Sequence, residues 1–135
     1  MITAIRPYIN CRGNAAEAIT LYEKVLGAET QSVMHWRDMP GDVPAGQAHL
    51  VMHAELKVGD TVIMLSDAPH TQIPEPQSLV HISLQLSKPE MVDEIYAAFA
   101  DGGESRVKPD NTFWNARFAM VIDRFGIGWM LNCDL

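Results

Sequence analysis

Two stretches of the chain place apolar residues at helical spacing. Ala15, Ala18, Ile19, Tyr22, Val25 and Leu26 recur at steps of three and four, so one stripe of a helix over about Ala15 to Leu26 is apolar and the rest polar. Asn14 followed by Glu17 is an N-terminal capping signal, and Gly27 offers the left-handed residue that ends a helix. Val92, Ile95, Tyr96 and Phe99 predict a second helix over about Pro89 to Ala100, with Ser87 and Glu90 as its cap, Pro89 in its first turn and Gly102-Gly103 closing it. Short apolar runs surround both. Ile5 to Asn10 precedes the first helix, and Glu29 to Trp36, Leu50 to Val58 and Thr61 to Ser66 follow it. Leu79 to Leu86 precedes the second, and Ser105 to Lys108, Phe113 to Ile122 and Ile127 to Cys133 follow it. Gly59-Asp60 joins two of these runs as a hairpin signal and Phe125-Gly126 joins two others.

The order strand-helix-strand-strand-strand therefore occurs twice, with little residue identity between the copies. We expect an α+β domain over residues 1–135, with one module at about 1–67, a connector at about 68–78 and a second module at about 79–135. Turn formers crowd Asp38 to Gln47 and Ala68 to Gln77, as functional lids or plain flexible connections do.

Composition narrows the function classes. At 135 residues with 47% apolar and 20% charged, the chain can build a proper core. Ten Lys and Arg against seventeen Asp and Glu give a net charge of −7, which repels phosphate backbones and anionic surfaces and argues against nucleic acid or membrane as partner. No window approaches the ~20 apolar residues of a membrane span. Cys11 and Cys133 have neither disulfide-scaffold number nor metal spacing, so a reducing cytoplasm is expected and both are read as inert thiols.

The double repeat resembles the vicinal oxygen chelate superfamily, which includes glyoxalase I, extradiol dioxygenases and bleomycin-resistance proteins, and within it the PhnB-like branch. The residues that carry the resemblance span nearly the whole chain. They include Pro7-Tyr8-Ile9 leading to Gly13-Asn14, Leu26-Gly27-Ala28, Asp38-Met-Pro40, His53-Ala-Glu-Leu56, Met64-Leu-Ser-Asp67, Thr112-Phe-Trp114, Arg117-Phe118, Asp123-Arg-Phe-Gly126 and Trp129. The resemblance implies two paired βαβββ modules whose curved mixed sheets enclose a pocket, and a homodimer.

In metal-dependent members four pocket ligands, His, Glu or Tyr, come from the first, fourth, fifth and eighth strands. The resemblance puts Pro7, Met64, His81 and Met130 there. Only His81 ligates well, because proline has no donor atom and a thioether is a soft one, so no metal site is expected and a divalent metal is disfavoured as cofactor. His49 and His53 share a strand face but stand about 13 Å apart at the rise of an extended chain, too far for one ion. His53 could approach His81, yet two imidazoles are an incomplete set, and His35 and His70 are read as solvated.

His81 is the candidate for chemistry, as an acid or base, or else an inherited position satisfied by a neighbour. Alternation puts Leu79, His81, Ser83 and Gln85 on the pocket side, along with Met64, Ser66, Gly128, Met130 and Asn132, with Val80, Ile82, Leu84 and Leu86 on the core side. Trp114 and Arg117 either grip an aromatic or anionic ligand or serve a dimer contact and a salt bridge. Asp67 and Asp123 are read as turn residues bonding backbone, and Trp129, Leu131 and Tyr8 as core. Branch members carry a demethylubiquinone methyltransferase name, but Arg12-Gly13-Asn14 has one glycine where a nucleoside-binding turn needs several. The expected function is metal-free binding of a small apolar or aromatic ligand. The alternatives are a metal-independent isomerase or lyase using His81, and a metal enzyme of glyoxalase or dioxygenase type with a non-standard ligand set.

Overall fold

Both helices form where the apolar stripes put them, as α1 (Ala15–Leu26) and α2 (Pro89–Ala100). The computed structural model describes residues 1–43, 45–67 and 80–135, so the expected connector at 68–78, with His70, and the strand position Leu79 lie outside the described residues. The chain divides into two units, Met1–Pro74 and Glu75–Leu135. Unit 1 holds β1 (Tyr8–Cys11), α1, β2 (Glu29–His35), a single 3-10 turn at Trp36–Asp38, β3 (Val51–Val58) and β4 (Thr61–Asp67). Unit 2 holds β5 (Ile82–Gln85), α2, β6 (Glu104–Asn111), β7 (Ala116–Ile122) and β8 (Gly128–Asp134).

Each unit is a four-stranded sheet of the same topology, in the order β1-β4-β3-β2 and β5-β8-β7-β6. The pair formed across the helix crossover is parallel, β1 with β4 and β5 with β8, and the others are antiparallel. These are the mixed curved sheets of the expected βαβββ modules.

The helix ends show which signals were local. Gly27 adopts φ +65 and closes α1, and Ala28 N–H donates to the Tyr22 carbonyl. Asn14 occupies the cap position, but its side chain caps nothing and instead accepts from Arg12 N–H. The start of α1 is held from the end of the neighbouring strand β4, where Asp67 Oδ1 accepts from Gly13 N–H at 2.9 Å and Ala15 N–H at 3.0 Å. At α2 the cap is Lys88, not Ser87. No side chain caps it; the first helical residue, Pro89, has no N–H to satisfy.

Alternation along the strands buries one face of each sheet under its helix. In unit 1 Ile9, Cys11, Ala54, Leu56, Ile63 and Leu65 are buried with Ala18 and Tyr22 of α1. In unit 2 Ala119, Val121, Trp129 and Leu131 are buried with Val92, Ile95 and Phe99 of α2, and Trp129 stacks on Phe99 at 5.1 Å between centroids. Removing the Trp129 side chain would cost roughly 3–5 kcal/mol by the usual cost of emptying such a site. The core reading of Trp129 and Leu131 is thus met, while that of Tyr8 is corrected. Tyr8 is 46% exposed, because Ile9 and Cys11 take the helix side of β1 and leave Tyr8 the other.

A second correction concerns Phe113 and Trp114, expected at the start of a strand. They form the β6–β7 turn, with Asn115 at φ +62, its N–H donating to the Thr112 carbonyl, and Ala116 N–H donating to Thr112 Oγ1.

Candidate functional site

On unit 1 the face away from α1 carries Tyr8, His53, Glu55, Met64 and Ser66. The pairing sets this directly: Tyr8 lies opposite Met64, and Met64 opposite Glu55. Tyr8 Oη and His53 Nδ1 are 3.1 Å apart, a hydrogen bond that reaches from β1 across β4 to β3. The Ser66 hydroxyl is committed to the Met52 carbonyl at 2.6 Å and is buried, and Glu55 accepts from Ser32 Oγ at 3.4 Å. Tyr8 is the functional candidate that the sequence reading missed, although the apolar Ile9 and Cys11 beside it carried the signal.

On unit 2 the corresponding face carries Ser83, Met130 and Asn132, with Phe118 and Met120 from β7. Ser83 lies opposite Met130, Met130 opposite Met120, and Asn132 opposite Phe118. Asn132 Nδ2 donates to Gln85 Oε1 at 3.0 Å and to Asp134 Oδ1 at 3.2 Å. Trp114, half-exposed at the hairpin tip, stands edge-on to Phe118 at 5.6 Å and to Phe113 at 5.0 Å.

His81 precedes β5 and shares this face. Its ring lies so close to Gly128 that a Cβ there would fall 2.7 Å from Cδ2 and 2.9 Å from Nε2. Nε2 is buried with no hydrogen-bond partner among the described residues.

Arg117 belongs to the opposite face. It lies across from Cys133 on the helix side of β7, and its guanidinium reaches Asp93 on α2 through two hydrogen bonds, Nη2 to Oδ1 at 2.6 Å and Nε to Oδ2 at 3.1 Å. These bonds hold the Asp93 carboxyl below its ordinary value, against a smaller opposing effect of burial, and raise the Arg117 guanidinium. Arg117 and Trp114 are thus not brought together as a clamp.

Asp67 and Asp123 bond backbone as read, and do more. Asp67 also accepts from Val51 N–H through Oδ2 at 3.1 Å, and Asp123 accepts from Phe125 N–H, Ile127 N–H and Trp129 Nε1–H at 2.9 to 3.1 Å. His35 leans on Asp38 at 3.7 Å and His49 is exposed before β3.

The profile of the Glyoxalase/Bleomycin resistance protein/Dioxygenase superfamily matches residues 6–131. The chain belongs to this superfamily. Among its relatives, protein YjdN of Escherichia coli K12 is 28% identical over 95% of this chain and 93% of its own. Protein PA1353 of Pseudomonas aeruginosa is 34% identical, with a TM-score of 0.87 over 98% of both chains. The PhnB protein of Bacillus cereus shares the fold at 18% identity, with a TM-score of 0.83 over 97% of this chain and 99% of its own.

The superfamily includes metal enzymes. Among the described residues no three of His, Cys, Asp or Glu gather within reach of one ion. Pro7 precedes β1 and offers its carbonyl to Met64 N–H, while Tyr8 lies opposite Met64 within unit 1 and Ser83 opposite Met130 within unit 2.

Proposed function

We propose that this member of the superfamily binds a small apolar or aromatic molecule without a metal. The observation that carries the reading is the helix-free face of unit 2. There Trp114 and Phe118 form an edge-to-face aromatic pair next to the thioethers of Met120 and Met130, with Ser83 and Asn132 as the polar handles. Soft, polarisable side chains with a few hydrogen-bonding groups are the usual lining of a small-molecule site. A thermal-shift screen of substituted aromatic compounds tests it. Hits that raise the melting temperature of the wild type should lose at least tenfold in affinity on Phe118→Ala, whereas hits indifferent to that change would move the site elsewhere.

Metal content measured by mass spectrometry on untagged protein prepared without chelator separates this reading from the metal enzyme. We expect no stoichiometric metal, and metal lost on His81→Ala would overturn it. A second reading, an isomerase or lyase using His81 as acid or base, draws on the buried Nε2 of that residue, which has no hydrogen-bond partner among the described residues. We further propose a cytoplasmic homodimer, consistent with two buried, unbridged cysteines and checked by light scattering at twice 15.0 kDa.

A further inference from the structure

We infer that Tyr8 and His53 form a second, polar recognition site, lying wholly within unit 1, for a small neutral molecule that carries a hydrogen-bond donor and an acceptor side by side, as a carboxamide does. The two side chains come from β1 and β3 and meet over β4 at 3.1 Å. Among the described residues each is the other's sole side-chain hydrogen-bond partner, and their rings lie 5.7 Å apart at 42°. Tyr8 is 46% exposed while Ile9 next to it is buried, so the phenol faces out from the sheet and does not fill the core.

The proton count decides what the pair can recognise. The phenol carries one proton and a neutral imidazole carries one. If the phenol donates to Nδ1, the imidazole Nε2–H remains as a donor and the phenol oxygen as an acceptor. If Nδ1–H donates to the phenol oxygen, the phenol proton remains as the donor and Nε2 as the acceptor. Both arrangements leave one donor and one acceptor, held in fixed relation by the bond between the rings. A molecule with the complementary couple can bind through two hydrogen bonds, whereas one with an acceptor alone can make only one. Of the neighbours on this face, the Ser66 hydroxyl is taken by the Met52 carbonyl, Met64 presents a thioether, and Glu55, which accepts from Ser32 Oγ, offers acceptors alone and so cannot supply the couple by itself.

The test uses acetamide and acetone, matched in size, titrated at pH 8.5 into full-length protein labelled with 15N at histidine. Acetamide should shift both ring nitrogens of His53 at concentrations at least tenfold below those acetone needs. Tyr8→Phe keeps the ring and removes the hydroxyl, and it should abolish this preference while leaving the melting temperature nearly unchanged. His53→Leu, which removes both ring nitrogens, followed through the backbone amides of Tyr8 and Met64, should abolish it as well and serves if the first variant folds poorly. Equal response to the two probes in the wild type, or a preference that survives both substitutions, overturns the inference. Neither result depends on the aromatic face of unit 2, whose own test is Phe118→Ala.

Discussion

The two units share a topology and differ in where they spend a buried carboxylate. In unit 1 Asp67 ends β4, and its two oxygens gather N–H groups from the turn before α1, from the first residue of α1 and from the first residue of β3. In unit 2 Asp123 follows directly on β7 and gathers two N–H groups of its own turn and the indole of Trp129, all within six residues. In unit 2 no side chain caps the start of the helix, where Pro89 leaves one N–H fewer to satisfy and Glu90 stands in the first turn. The fold thus requires that buried donors be met but leaves open which junction the carboxylate serves. One aspartate stitches three elements together, and the other stiffens a single hairpin.

That contrast predicts the largest effects. Asp67→Ala leaves three donors around a buried site without partners, and it should cost about 3–5 kcal/mol in urea unfolding, by the usual penalty for unmade charge-assisted hydrogen bonds after partial rehydration. Asp123→Ala removes the bonds to Phe125 N–H, Ile127 N–H and the Trp129 indole, but that turn is local and can relax, so about 2–4 kcal/mol is expected. Should Asp123→Ala prove the more costly, the stitching of distant elements would not be what sets the scale.

The same contrast explains what the sequence made legible. Helices, hairpins and the double repeat follow from local spacing, and both helices and the Gly59-Asp60 turn lie where the pattern put them. The capping of α1 was half legible. Asn14 marks the position, while the bonding group is Asp67, 52 residues away from Ala15. Faces were legible wherever an apolar neighbour betrayed them, as at Ser83 between Ile82 and Leu84. At Tyr8 an aromatic ring reads as core on hydrophobicity although the alternation with Ile9 and Cys11 says otherwise. Trp114 reads as strand because aromatic residues favour strands, and the left-handed Asn115 that turns the chain is one residue beyond it. The pairing of Arg117 with Asp93 is a long-range fact that spacing cannot supply.

A smaller effect sharpens the comparison at the faces away from the helices. Taking the rungs of Met64 and Met130 as equivalent, unit 1 has Val62 where unit 2 has Gly128, and in unit 2 the His81 ring lies against that position. Gly128→Ala must push the His81 ring aside, at about 1–3 kcal/mol by the usual cost of overpacking. In a His81→Ala background the same change should be nearly silent, so a double-mutant cycle should return a coupling close to the whole single-mutant loss. Additive effects would mean that the ring does not rest on Gly128.

The smallest effect is pH-dependent and belongs to the helix-to-sheet tie of unit 2. Where α1 is fastened by Asp67, α2 is fastened to β7 by Asp93 and Arg117, a two-pronged pair whose carboxylate is half-exposed and therefore screened by solvent. Because Arg117 lowers the carboxyl below its ordinary value of 3.8, the folded state binds that proton less readily than the unfolded chain does. The contribution is fully present above 3.8 and is lost as the pH falls through the folded value. Asp93→Asn should therefore be less stable than the wild type at neutral pH, by less than either buried aspartate variant, and the two melting curves should converge in acid. A gap that stays constant down to pH 2.5 would show that the Asp93→Asn change costs packing and not charge, and the tie would then resemble Asp67 more than its exposure suggests.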